Sequence, residues 1–172
     1  PGIDFEKDGL HPSDSDLAIY VRPESGNNIL IGSEDPTCDE QVWVDDPDDY
    51  DNVVSDEQWN AQVLRLARRM PDLGIPNEKK GIVDLYDVSD DWIPIYDRTD
   101  LDGFYVAIGS SGNQFKNAPV AGWCMAELIQ KVEGGHDHDA DPLVVTGVHT
   151  GLQMDMGFYR RNREINPDSS FS

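Results

Sequence analysis

The stretch FYVAIGSSGNQFKNAPVAGWCMAELIQKVE, residues 104–133, decides how this chain is read. Its first residues read as a short strand that ends in small residues. A helix follows almost at once, with Pro119 suited to its first turn and Trp123, Met125, Leu128, Ile129 and Val132 available for burial between Val120 and Val132. A strand passing straight into a helix leaves backbone N–H groups free at the helix start, with a partial positive charge. Glycines in such a turn let a flat ligand approach the main chain. Lys116 adds a fixed cation. The same pattern also fits an ordinary strand–turn–helix.

Working toward the amino terminus, three short strand candidates precede this helix: GIVDLYDV (81–88), WIPIYDR (92–98) and GFYVAIG (103–109), with Asp90-Asp91 and Asp100–Gly103 as turns. Ser55 is placed to cap a helix over 55–70, with Asp56 and Glu57 in its first turn, Trp59, Val63, Leu66, Ala67 and Met70 at helical spacing, and Pro71 as its stop. Residues 34–52, with the acidic run DDPDDYD, read as a solvated loop, and 16–33 (DLAIYVRPESGNNILIGS) as a hairpin. Residues 1–15 read as a connector. Toward the carboxyl terminus, 134–142 is a loop, LVVTGV is a short apolar run, and LQMDMGFYRRNREI fits an amphipathic helix. No internal repeat is present. The expected fold class is α+β: a mixed, largely antiparallel sheet from 16–33 and 81–109, with helices flanking it.

A chain of 172 residues suits one domain or one large piece of a bigger fold. Its 13 Lys and Arg stand against 34 Asp and Glu, a formal charge of −21. That field repels phosphate backbones and anionic lipid, so neither nucleic acid nor membrane is an expected partner. Asp outnumbers Glu 25 to 9 and is spread through nearly every connection. This texture reads as a halophilic surface, or else as a mesophilic protein that is simply acidic. With only Cys38 and Cys124, there is no disulfide framework, and the reading is a reducing cytoplasm. The sequence opens at Pro1 without a leader pattern and stops just after a patterned segment, so a piece of a longer protein is expected.

Two clusters invite a metal. His136, Asp137, His138, Asp139 and Asp141 all carry ligand atoms, but ligands crowded on one loop rarely close a tetrahedral site, and no metal is expected. Asp97–Gly103 resembles a calcium loop, yet Arg98 and Gly109 stand where that pattern needs oxygen ligands; it reads as a turn between strands. No GxSxG, HExxH, P-loop or GxGxxG is present. Taken alone, these residues name no nucleophile.

IGSSGNQFKNAPVAGWCMAELI resembles the carboxyl-terminal flavin-contacting signature of the FAD-dependent oxidoreductases of the D-amino-acid oxidase, sarcosine oxidase and glycine oxidase family. DLAIYVRPESGNNILIGSED is similar to the family's substrate-domain hairpin, and DVSDDWIPIYDRTDLDGFYVAIG to the strand pair that leads to the flavin. NREINPDSSFS resembles the end of the flavin-domain region. The chain departs from the family pattern at Gln114, where glycine is common, and at Ser110, where histidine is frequent. The amino-terminal dinucleotide fingerprint has no counterpart here.

The resemblance implies hydride transfer from the carbon beside a substrate amine to FAD, followed by imine hydrolysis, with the protein orienting substrate and tuning the flavin. It implies that 1–100 is part of the substrate domain and 101–172 the flavin-contacting segment. The remainder of the FAD-binding domain and a small amine or amino acid are the implied partners. Gly109, Ser110, Ser111, Gly112, Asn113, Gln114, Phe115 and Lys116 are the implied flavin contacts, with Lys116 also catalytic and substrate-binding. Arg22 is a second candidate for a substrate carboxylate, or else a surface arginine at a strand end. FAD is expected in the parent protein and not on this piece alone. The competing reading is a non-catalytic acidic module that binds a cation or a protein through the 45–51 carboxylates and the hairpin.

Overall fold

The structure is a computed structural model and describes residues 7, 9, 11–26, 28–166 and 169. They form two compact units, within 1–85 and within 86–171. This division by packing falls ahead of residue 100, where the resemblance divides the chain by function. Of the segments read above, parts of the 1–15 connector and of 162–172 lie outside the described residues.

In the first unit, β1 (Ser13–Asp14), β2 (Ile19–Glu24) and β3 (Asn28–Ser33) form an antiparallel sheet in the order β1-β2-β3. The β2–β3 hairpin is in register from Ile19 opposite Ser33 to Glu24 opposite Asn28. Helix α1 (Asp56–Arg69) begins where Ser55 Oγ accepts the Gln58 N–H, the expected cap. Val63 and Leu66 of this helix and Ile19 of β2 are buried apolar side chains of the unit. Arginines on α1 tie the unit together: Arg65 forks onto Asp39, and Arg69 reaches both carboxylate oxygens of Asp14.

In the second unit, β4 (Ile95–Arg98) and β5 (Tyr105–Ile108) form an antiparallel hairpin, with Thr99 N–H donating to the Phe104 carbonyl across its turn. Helix α2 (Ala118–Glu133) and a second hairpin, β6 (Val144–Thr146) with β7 (Gln153–Asp155), complete it. Tyr96, Cys124, Val145 and Met156 are buried together, with Trp123, Met154 and Tyr159 packed around them. Tyr159 lies on Tyr96 with ring centroids 5.2 Å apart.

The fold class is α+β, with antiparallel sheets and flanking helices. Three readings change. Among the described residues the strands form three small sheets and not one sheet spanning 16–33 and 81–109. Residues 81–88 are irregular: Asp84 bonds locally, accepting the Leu85 N–H at 2.8 Å, and Asp87 is drawn to the loop described below, 22 residues on. The expected helix after 152 is instead strand β7 followed by a 3-10 turn, Met156–Tyr159. There Asp155 caps the Gly157 N–H at 2.8 Å, and the Met156 N–H is taken by the Leu143 carbonyl.

No helix among the described residues is long and apolar enough to cross a membrane.

Candidate functional site

Between β5 and α2 the chain makes a compact loop, 109–117. Gly109 (φ 68), Ser111 (φ 48) and Gly112 (φ 71) all take the left-handed region, which L side chains disfavour by about 1–2 kcal/mol per residue and glycine does not. At Gly112 the close approach is equally decisive: a Cβ there would come within 2.6 Å of the Tyr86 ring. Asn113 N–H closes onto the Ser110 carbonyl, and Asn117 N–H onto that of Gln114, where a short 3-10 turn (Phe115–Asn117) leads into α2.

The loop rests on the segment just before β4. Asp87 Oδ2 accepts the Gly109 N–H at 2.8 Å, its other oxygen accepts the Ser110 hydroxyl, and its carbonyl accepts the Ser111 N–H at 3.2 Å. Burial alone would raise the Asp87 pKa. The hydroxyl of Ser110 and the N–H groups of Ser110 and Gly109 outweigh that and hold it below the ordinary carboxylate value. The donors at the start of the loop thus face inward, onto this carboxylate. Those of Gly112 and Gln114 meet no acceptor among the described residues. Gln114 Oε1 receives both the Asn117 side-chain N–H at 2.9 Å and the Tyr96 hydroxyl at 3.3 Å, linking the loop to the buried centre of the unit.

Phe115 is 97% exposed, and Lys116 is exposed beside it. Lys116 Nζ donates to Asn113 Oδ1 at 2.6 Å, and among the described residues it meets no carboxylate. The eight residues 109–116 therefore sit on one loop of the second unit. Arg22 belongs to the first unit, on β2, where it pairs with Glu24 at 3.3 Å.

The histidine–aspartate loop has a different character. His138 is fully buried (0% exposed), and its Nδ1 accepts the Leu143 N–H at 3.0 Å. Among the described residues Nε2 has no hydrogen-bond partner, and it lies 3.7 Å from Asp97 Oδ1. Burial pushes the His138 pKa down, against an upward pull from Asp97. Asp97 itself, also 0% exposed, accepts the Arg161 N–H at 2.8 Å and its guanidinium at 3.1 Å. Asp139 accepts two further bonds from that guanidinium. Among the described residues no group of three or more His, Cys, Asp or Glu is placed to hold a metal ion. Sequence reading missed both Asp87 and this buried network. Their partners lie 22 and 64 residues away, and no local pattern marks them.

The loop's donor set suits part of a flavin and not the whole. Unpaired N–H groups and an exposed ammonium match a ring edge that gains negative charge on reduction. The loop lacks the GxGxxG spacing of a pyrophosphate turn, and Pro119 in the first turn of α2 has no N–H to offer a phosphate.

No curated protein and no solved structure matches the chain. A family model described as FAD dependent oxidoreductase matches residues 3–128, which include both β2–β3 and β4–β5 hairpins, α1 and the whole 109–117 loop. The chain therefore belongs to the family of FAD dependent oxidoreductases, whose cofactor is FAD.

Proposed function

We propose that this chain supplies the far wall of the flavin ring and much of the substrate side in an enzyme that oxidises the C–N bond of an amino acid or a secondary amine. The observation that carries the reading is the exposed Lys116 ammonium, held by neutral Asn113 on a loop whose glycines bring main chain to the surface. FAD, when bound, supplies the two-electron acceptor for that oxidation. Lys116 would place positive charge where the ring becomes anionic, and would attract the carboxylate of an amino-acid substrate. The N–H groups of Gly112 and Gln114 would donate to the same ring edge. Arg22 is a second site for the substrate carboxylate, through the first unit. In this reading 1–100 shapes the substrate side, 101–172 faces the flavin, and the loop's partner is the rest of the FAD-binding domain.

The test is to purify the enzyme containing this chain and screen primary and secondary amino acids, without oxygen, for bleaching of its FAD. Bleaching by one such compound, with release of the imine's hydrolysis products, supports the reading. Bleaching only by alcohols or thiols, or by none of these, removes it.

A further inference from the structure

The segment 86–89, irregular although a strand is expected through residue 88, is built as a cradle for the 109–112 turn. Three kinds of contact converge there. The Tyr86 ring fills the space a Gly112 side chain would need, and Ser89 Cβ lies 3.2 Å from where a Gly109 Cβ would stand. Asp87 meets three consecutive residues of the turn: Gly109 through its N–H, Ser110 through its hydroxyl, and Ser111 through a backbone bond. Glycine leaves the backbone of such a turn free to vary, and here the Asp87 carboxylate and carbonyl bond it in one shape. The carboxylate also absorbs the donors nearest β5, so the donors left for a ligand are those further along, beside Lys116.

We propose that Asp87 is a positioning residue for the flavin contact: its carboxylate anchors Gly109 and Ser110 and thereby fixes where Gly112, Gln114 and Lys116 meet the ring. The proposal rests on the flavin-wall reading of the loop. It adds a residue that touches neither substrate nor flavin and acts through the turn it holds.

Two measurements on the full-length enzyme test it. In FAD-free protein, Asp87→Ala is expected to speed amide exchange at Gly109 at least tenfold, with the paired amides of Tyr105–Ile108 and of α2 unchanged. In FAD-loaded protein, the same variant is expected to keep its FAD, to shift the visible flavin spectrum and to lower the flavin reduction potential. Unchanged exchange at Gly109 overturns the anchor. Faster exchange with an unaltered spectrum and potential overturns the positioning role, since a merely structural residue would behave so. Should Asp87→Ala fail to fold, Asp87→Asn keeps an acceptor for Gly109 but removes the charge, and intermediate changes in both readouts are expected; an Asn variant identical to wild type overturns the proposal. Failure of the flavin-wall reading itself shows separately, as a Lys116→Met enzyme with unaltered spectrum, potential and turnover.

Discussion

Arg163 closes its guanidinium on Asp91, a carboxylate 72 residues earlier that is 1% exposed. Arg163 Nε donates at 2.9 Å, a second nitrogen reaches the other oxygen, and the same guanidinium donates to the Ile93 carbonyl at 2.7 Å. Asp91 in turn accepts the Ile93 N–H at 3.2 Å, fixing the turn into β4. Removing one partner leaves a buried charge unpaired, which typically costs about 3–5 kcal/mol. Arg163→Met is expected to lose stability of that order in urea unfolding, and Asp91→Asn with Arg163→Met to recover part of it. A loss under about 1 kcal/mol in the single variant would show that the pair is not buried as described.

The same pair sets an acid limb. The Arg163 guanidinium beside Asp91 lowers its pKa from 3.8 to about 2. A carboxylate with a depressed folded pKa contributes stability that is present above the unfolded value and lost as pH falls toward the folded one. About 2 kcal/mol should therefore disappear between about pH 4 and pH 2. Arg163→Met should flatten that limb in acid titrations followed by circular dichroism. An unchanged limb would exclude the pair as its source.

His138 gives a second pH dependence, at milder acidity. Burial holds its folded pKa below the ordinary 6.5, so the folded imidazole is neutral while the unfolded chain takes up the proton first. Its contribution is therefore intact above about pH 6.5 and lost as pH falls through that value. Asp97 and Asp139 favour the charged form, and Arg160 and His136 oppose it. Stability in urea should decline from about pH 7 to about pH 5, and the decline should be shallower in His138→Gln, whose amide can still accept the Leu143 N–H. An equal slope in both proteins would contradict a neutral buried His138.

Much of this architecture is legible in the sequence, and the failures share a cause. Helix α1 is read correctly because its signals are local: Ser55 at the cap, acids in the first turn, arginines in the last, Pro71 beyond. The β2–β3 hairpin follows from alternation. Residues 81–88 are also apolar enough for a strand but bond elsewhere: Asp87 serves a loop 22 residues on, which no window around it reveals. The 153–159 segment has helical spacing, yet the Met156 N–H is drawn to the carbonyl of Leu143, just ahead of β6. At the candidate site, residues 109–116 are visible as a motif, whereas the inward turn of their first donors depends on Asp87 and is not.

A charge of −21 carries a consequence for solution conditions. We read the surface as halophilic. Self-repulsion acts over a Debye length of about 30 Å at 0.01 M salt but only about 3 Å at 1 M. The melting temperature should climb steeply with added KCl. A flat response from low to molar salt would reject this reading.

The chain by itself should hold FAD poorly. The loop offers a few backbone bonds worth roughly 0.5–1.5 kcal/mol each, against several kcal/mol of freedom lost on binding. Titrating FAD into the 172-residue chain should show affinity no better than about millimolar. Micromolar binding would mean that these residues hold more of the cofactor than one ring edge.

Lys116→Met in the full-length, FAD-loaded enzyme tests the central claim most directly, read by the flavin reduction potential alongside turnover. The account predicts that FAD stays bound, that the potential falls as positive charge leaves the ring edge, and that turnover of the amine drops by about 10²-fold or more, as when one group stabilising transition-state charge is removed. An enzyme that keeps both its potential and its turnover would contradict the place given to Lys116 and to the loop that carries it.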